Sequence, residues 1–424
     1  MKNKRRLGII HAYPSRWLVD ALTEAGWQIV LIGDLPVDLF AGQAQVITVP
    51  LWNEAAVIDA VCQHHQQQPF AALLPVYEGS TMLTARISAM LGLPGYGEAA
   101  ALASRNKYLS YLMWQGQGIP VPRTVPLLRR ADDWALIEQE FAGDAVIKLA
   151  DSMNSQGVIR IRNAQEFAAA SEVLHKMLQQ SHNISLQDNR NRFAYGRSAV
   201  SLIAQEFCPG EEVGVDLVIH GRQSHVLGLF QKAPAAGPCF AETLSVWPSS
   251  LGSEMEQELG QLAIRAARAL GLQQGAAHVE IRIGADGPKV LEAGLRPGGA
   301  YTVKASEILT GINQYTWLAD ALCGNAVPTP GTAHGAILYG GIVYTQTGVL
   351  KQIHGSEIFS DIPGLIDVQI LNQPGDRVYA LPRSAQPHFC YYLIQAETRE
   401  RALAIHQRIQ NRIKLDIDPI GEFT

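Results

Sequence analysis

Over residues 6 to 100, short apolar runs alternate with stretches of helical period. Leu7-Gly8-Ile9-Ile10 is followed by an amphipathic stretch from Trp17 to Ala25, then by Ile29-Val30-Leu31-Ile32, and later by Ala71-Ala72-Leu73-Leu74. Strand-length runs separated by helices predict βαβ units and a parallel sheet. Ligands of such sheets bind beyond the carboxyl ends of the strands. A dinucleotide-binding sheet would carry GxGxxG after its first strand, whereas this chain reads His11-Ala12-Tyr13-Pro14-Ser15-Arg16, which disfavours that reading. The HHQQQ stretch at 64 to 68 reads as a solvated helix end.

Punctuation divides the rest. Leu93-Pro94-Gly95-Tyr96-Gly97 precedes one helix running to about Gln115, and Gly118-Ile119-Pro120-Val121-Pro122 restarts an extended chain. A second break, Ala326 to Gly331, is followed by short β-rich runs (Ala336 to Tyr339, Gly341 to Tyr344) and a terminal helix from about Thr398 to Ile413. The expected domains are residues 1–100, 101–328 and 329–424. Residues 181 to 197 are polar and patternless and read as a long loop or insertion.

Two alternating runs, His278 to Ile283 and Lys289 to Ala293, flank an Asp286-Gly287 turn and predict a β-hairpin. A three- or five-residue loop centred on Asp286 would pair 279 with 293 and 281 with 291. Val279, Ile281, Leu291 and Ala293 then share one apolar face, and Glu280 stands opposite Glu292. Two facing carboxylates repel unless a cation sits between them, and Mg²⁺ uses one or two carboxylates together with substrate phosphates. Taken alone, the segment serves equally well as a hairpin with two exposed glutamates. Gly294-Leu295-Arg296-Pro297-Gly298-Gly299 follows, adding an arginine able to clamp a phosphoryl or carboxylate group and free backbone amides.

Upstream, Ala145-Val146-Ile147-Lys148-Leu149 reads as a buried strand ending in a lysine, before the small polar loop Asp151 to Gly157. An ammonium beside such a loop can grip phosphates, although the chain has no GxxxxGK[ST] motif. A surface lysine beside an ordinary loop is the alternative. Leu202 to Phe207 leads through a Pro209-Gly210 turn to Glu211-Glu212, an arrangement that can offer backbone to an adenine edge and Glu212 to ribose hydroxyls.

Composition narrows the classes. The 424 residues are 47% hydrophobic and 17% charged, and 34 Lys plus Arg against 39 Asp plus Glu leave a net charge of −5. That describes a globular chain without the basic footprint of a nucleic-acid binder. Only four apolar residues follow the N-terminal basic cluster before His11, and no run of about eighteen apolar residues occurs, so export and membrane insertion are not expected and a cytoplasmic location is. Five scattered cysteines without a CxxC pair suggest neither a disulfide framework nor a zinc site.

In their order and spacing, Asn106-Lys107, Val146-Ile147-Lys148, the 151–157 loop, Gln205 to Glu212, and Glu280 with Glu292 and Arg296 resemble the ATP-grasp superfamily. Gly275 to Glu280 followed by Glu292 to Gly299 is most similar to the carboxylate-amine ligases of the L-amino acid (dipeptide) ligase type, and the last domain resembles their small C-terminal domain. The resemblance implies an α/β fold: an N-terminal parallel βαβ domain, a central two-lobed ATP-grasp module with a lid lobe at about 118–204, and a small β-rich C-terminal domain.

Residue by residue, it implies that Lys107 and Lys148 bind ATP phosphates and that Ser152, Asn154, Ser155, Gln156 and Gly157 form the lid over them. Glu206, Phe207 and Cys208 would meet adenine and Glu212 the ribose. Glu280 and Glu292 would hold one or two Mg²⁺ ions (or Mn²⁺), and Arg296, with Lys148, would serve catalysis by steadying the γ-phosphate and an acyl phosphate. Gly298 and Gly299, with Arg296, would face substrate. Gly294 departs from the Asn common at that position, which bears on a second metal ion. Glu78 is a candidate for a substrate ammonium or a plain surface carboxylate, and His278 a substrate contact or a structural histidine. Ala300 would leave pocket space.

The implied reaction joins an amino acid or small carboxylate to an amino acid amine through an acyl phosphate. A homodimer is common in the family. The competing readings are a purine-pathway or biotin-carboxylase-like ATP-grasp ligase, a D-alanyl ligase, and a non-catalytic nucleotide-binding protein.

Overall fold

A computed structural model describes residues 5–128, 133–180, 200–234, 239–384 and 387–420. The stretch 181–197, read as a loop or insertion, lies outside the described residues. Strands Arg6–Ile10, Gln28–Gly33, Ala44–Thr48 and Ala72–Leu73 form a parallel sheet in which 6–10 lies between 28–33 and 72–73, with 44–48 at the edge. The two central strands are buried almost throughout, as expected of a parallel sheet covered on both faces. The edge strand Ala44–Thr48 was not anticipated, because Ala-Gln-Val-Ile-Thr has only two strongly apolar positions.

Helix Arg16–Glu24 starts where Ser15 Oγ accepts from the Leu18 amide at 3.2 Å, and it buries Leu18, Val19 and Leu22 against this sheet. The expected single helix up to Gln115 is two, Glu98–Arg105 and Lys107–Gly116. Asn106 is extended, and its side-chain oxygen accepts from the Tyr108 and Leu109 amides at 3.1 and 2.9 Å. The asparagine therefore caps a new helix and places Lys107 at its first turn.

A four-stranded antiparallel sheet follows, with strands in the order Thr124–Leu127, Leu202–Glu206, Ala145–Leu149, Val158–Ile161. Helices Asp133–Phe141 and Ala164–Gln180 bury Ile137, Phe141 and Leu174 in its core.

The largest element is an antiparallel sheet of eight strands, ordered Gly287–Gly294, Gln274–Gly284, Glu211–His220, Gln223–Lys232, Leu244–Trp247, Ala336–Val343, His388–Ala396, Leu365–Ile370. Its last three strands come from beyond residue 330, so the C-terminal region continues the central sheet. Helix Ser253–Ala269 packs Leu259, Leu262, Ala263 and Ala266 against it. Ala336 to Tyr344, read as two short runs, contains a single strand carrying Gly340-Gly341. Helix Arg399–Arg412 closes the chain as expected, capped by Thr398. A small sheet of Arg377–Val378, Gly348–His354 and Lys414–Pro419 completes the described fold.

The 278–294 hairpin corrects one expectation. Val279 pairs with Ala293 and Glu280 with Glu292, but Ile281 pairs with Val290, not with Leu291, and the turn is the two-residue Ala285-Asp286. A bulge at Leu291 absorbs the residue that a longer loop would have taken. Val290 therefore joins Val279, Ile281 and Ala293 in the core, each at most 1% exposed, while Leu291 turns to line a cavity.

Candidate active site

The three larger sheets meet around a cavity of about 670 Å³. The parallel sheet contributes residues beyond the carboxyl ends of its strands: His11 after Arg6–Ile10, and Tyr77 and Glu78 after Ala72–Leu73. The four-stranded sheet contributes Lys148, and the eight-stranded sheet contributes Glu212, Lys232, His278, Glu280 and Glu292.

Lys148 is the penultimate residue of its buried strand, with Nζ 2.7 Å from Gln205 Oε1. Burial pushes its ammonium down to about 8, against the opposing pull of Glu292. Lys107 donates to the Ser152 carbonyl at 2.8 Å and approaches Glu292 Oε1 at 3.3 Å. Two ammonium groups thus reach the cavity from different lobes.

On the hairpin, Glu280 and Glu292 face the cavity as direct cross-strand neighbours. Burial raises Glu292, Lys107 opposes that rise, and the Glu280 charge adds to it. Burial would also raise Glu280, but Lys232, 2.7 Å away, and His278 outweigh it and hold the carboxyl well below its usual range. His278 Nδ1 lies 3.1 Å from Asp216 Oδ1. Burial lowers His278, yet Asp216 and Glu280 prevail and bring it up to about 9.

Among the described residues no group of three His, Cys, Asp or Glu side chains is arranged to hold a metal ion unaided. The donor set of Glu280 and Glu292, two carboxylates whose charges disfavour each other, fits Mg²⁺ whose remaining ligands are phosphate oxygens and water.

Arg296 reaches back to the parallel sheet, its Nε donating to Glu78 Oε2 at 2.8 Å, and Arg105 binds the other oxygen of the same carboxylate. Burial would raise Glu78, but the two guanidiniums bring it down to about 2. Gly298 is tightly enclosed: an added Cβ would lie 2.6 Å from Asp216 Oδ1 and 2.7 Å from Thr302 Cβ. Gly299 opens on free space, and Ala300 beside it has φ +47° and lines the cavity.

Glu206, Phe207 and Cys208 line the cavity beside Lys148. Arg160 lies over the Phe207 ring at 3.3 Å, and the Cys208 carbonyl accepts from Arg282. Glu212 is bridged by Lys232 at 3.2 Å and by Arg282. Ser152, Asn154 and Ser155 also line the cavity, with Asn154 and Ser155 at positive φ. Gln156 and Gly157 do not line it: the Gln156 side-chain Nε2 donates to the Arg383 carbonyl at 3.0 Å and the Gly157 backbone amide to the Pro382 carbonyl at 2.8 Å. The tail of this loop is thus held by the C-terminal region, and the structure separates it from the other candidates.

Sequence reasoning missed Lys232, Arg105 and Asp216. Lys232 ends the apolar strand Gln223–Lys232 much as Lys148 nearly ends its own, so the same criterion would have found it. Arg105 immediately precedes the Asn106-Lys107 pair, and its guanidinium joins Glu78 to Asp151.

Comparison with known proteins places this geometry. The family described as ATP-grasp domain matches residues 142–304. Over those residues the chain carries an ATP-grasp domain. Residues 341–418 match the family described as L-amino acid ligase C-terminal domain 2. Carnosine synthase 1 of Gallus gallus is 29% identical over 239 residues, covering 54% of this chain and 25% of that protein. D-alanine–D-alanine ligase of Cupriavidus necator is 26% identical over 218 residues, 49% of this chain and 60% of that one. The match thus spans a quarter of the carnosine synthase and under two thirds of the D-alanine ligase. The L-amino acid ligase of Bacillus licheniformis shares the fold with a TM-score of 0.84 at 22% identity, covering 99% of this chain and 100% of that one. No helix among the described residues is long and apolar enough to cross a membrane.

Proposed function

We propose that this ATP-grasp chain is an ATP-dependent carboxylate-amine ligase. It joins an amino acid or small carboxylate to the amine of an amino acid through an acyl phosphate, releasing ADP and phosphate. The observation that carries the proposal is the cross-strand pair Glu280 and Glu292, facing one cavity with Lys107, Lys148 and Arg296. The match of residues 341–418 favours an amino acid ligase over other ATP-grasp chemistries. The named activities of the carnosine synthase and D-alanine ligase relatives point the same way.

In this reading ATP lies between the two lobes. Glu206 to Cys208 meet adenine, Glu212 takes the ribose once freed from Lys232 and Arg282, and Lys107 and Lys148 hold the phosphates. Mg²⁺ brought with ATP would be held by Glu280 and Glu292 and would neutralise charge on the phosphoryl group being transferred. Lys148 and Arg296 stabilise the same charge from the protein side. The substrate carboxylate attacks the γ-phosphorus and ADP leaves. The amine then attacks the acyl carbon, phosphate departs and the amine proton is lost to solvent or a nearby base. Ser152 to Ser155 cover the phosphates and keep water from the acyl phosphate. Residues 1–100, 101–328 and 329–424 serve as the three working units.

The test is a matrix of amino acids and small carboxylates with ATP and Mg²⁺, reading phosphate release and product mass. A new amide that requires two substrates supports the ligase. Phosphate released by bicarbonate or a ribosyl amine alone would move the protein to another ATP-grasp chemistry, and ATP binding without turnover for any pair would make it a non-catalytic binder.

A further inference from the structure

The C-terminal end of the cavity has a built floor. Gln369, Tyr391 and Gly341 stand directly opposite one another on three adjacent strands, so they share one face, and all three line the cavity. Glycine in the interior of a paired strand marks a close approach, and here a Cβ on Gly341 would lie 2.6 Å from His388 Cδ2. The Gly341 amide donates to the Thr243 carbonyl at 3.0 Å, and its carbonyl accepts from Gln410 at 2.9 Å. The floor's backbone is therefore already satisfied, and its free polar capacity lies in the Tyr391 and Gln369 side chains.

The proton directions at Tyr391 follow from its neighbours. His388 Nε2 lies 2.8 Å from the Glu242 carbonyl. A carbonyl only accepts, so Nε2 carries the hydrogen. Burial holds His388 below its ordinary value and so keeps it neutral, which leaves Nδ1 as an acceptor. The Tyr391 hydroxyl, 2.9 Å away, donates to it. Burial also pushes Tyr391 up, so the phenol keeps its proton. With its hydrogen committed to His388, the Tyr391 oxygen offers the cavity only an acceptor. The Gln369 amide has no hydrogen-bond partner among the described residues and can both donate and accept.

This floor adjoins the reacting end. Glu242, whose backbone holds His388, also places its carboxylate 3.3 Å from Lys232, and Lys232 is 2.7 Å from Glu280.

We propose that the Gln369–Tyr391–Gly341 floor is a side-chain subsite for one of the two amino acid substrates and selects an uncharged carboxamide over the isosteric carboxylate. The substrate NH₂ donates to the Tyr391 oxygen and its C=O accepts from the Gln369 amide, while Gly341 leaves room for the His388 ring that takes the Tyr391 hydrogen. A carboxylate has no hydrogen for Tyr391 and would set its charge against that oxygen and the Glu242 side. A site built around a required N–H discriminates strongly against an analogue that lacks it, because its own acceptor is then left unpaired. The proposal rests on the amino acid ligase reading.

The test pairs glutamine with glutamate, and asparagine with aspartate, in wild type, Tyr391→Phe and Gln369→Leu. Amide-product rates are measured with a common second amino acid. Binding to the enzyme with Mg²⁺ and a non-hydrolysable ATP analogue is measured by calorimetry. The expected result is a preference for the amide over the acid of about tenfold or more, falling to within a few fold of unity in Tyr391→Phe while the affinity for the ATP analogue is unchanged. Equal use or binding of amide and acid by the wild type, no binding of either amide, or an unaltered ratio in Tyr391→Phe overturns the subsite. Absence of any amide product with every pair would instead overturn the ligase reading, and the binding ratio would still decide the subsite.

Discussion

Glu280 and Glu292 are direct cross-strand neighbours, yet each carboxylate answers to a different lysine: Glu280 to Lys232 at 2.7 Å and Glu292 to Lys107 at 3.3 Å. The two lysines belong to different parts of the fold, one to the central sheet and one to the helix that follows Asn106. Like charges facing across a pair of strands destabilise it, and here the lysines provide the compensation. Nucleotide phosphates that draw Lys107 away would leave Glu292 free to ligate.

On the proposed function, Glu292→Ala should remove a metal ligand together with the carboxylate partner of Lys107. Amino-acid-dependent phosphate release is expected to fall by about 10²–10³-fold, a loss typical of removing one transition-state charge stabiliser, and half-maximal activity should move to higher Mg²⁺. Steady-state rates across a Mg²⁺ titration measure both. A variant with wild-type rate and Mg²⁺ dependence would exclude Glu292 from the metal site.

Glu78→Ala should destabilise the protein by about 3–5 kcal/mol, because it leaves Arg296 without its buried carboxylate partner and Arg105 with Asp151 alone. The acid limb of stability should change with it. The folded carboxyl is held at about 2 by its guanidiniums, so its stabilisation is complete above the unfolded value near 4.5 and is lost as pH falls toward 2. Chemical denaturation between pH 2 and 7 tests both effects, and the variant should lose stability less steeply than wild type over the acid part of that range.

What the sequence made legible divides along physical lines. Alternation and flanking residues carried the parallel strands, the lysine strand and the facing glutamates, because those depend on local period and on one register. The bulge at Leu291 was hidden because a shorter turn and an extra residue cancel at Glu280 and Glu292, leaving both predicted pairings nearest the chemistry intact. Asp216 was missed for another reason. It becomes a site residue only when its strand is laid beside Gln274–Gly284, and period does not reveal which strands adjoin. The Gln369–Tyr391–Gly341 row spans three strands drawn from separate stretches of chain, and it exists only in the folded sheet.

Gly298→Ala isolates a steric claim. The new methyl group would meet Asp216 Oδ1 and Thr302 at well under contact distance, and Asp216 is completely buried and bound to His278. The expected cost is about 1–3 kcal/mol of stability, together with reduced turnover as His278 is displaced. Gly299→Ala, which meets nothing within 4 Å, should leave stability close to wild type. Thermal melts of the two variants make the comparison, and equal melting points would show that the enclosure of Gly298 yields without cost.

His406 gives the C-terminal region its own pH signature. It sits on the helix Arg399–Arg412, 6% exposed, with Nδ1 2.8 Å from the Tyr392 hydroxyl. That hydroxyl accepts from Gln410 at 3.0 Å, so its own hydrogen points at Nδ1 and the neutral imidazole is the form that fits. Burial pushes His406 down to about 4 from an ordinary 6.5. Between those values the unfolded chain binds a proton that the folded chain refuses, so stability falls as pH drops from about 6.5 to about 4. The total for this one group is roughly 3 kcal/mol. Urea midpoints followed by circular dichroism at half-unit steps across that range should show the decline, and His406→Gln should flatten that share of it. An equally steep decline in the variant would assign the slope to other groups and remove His406 from the account.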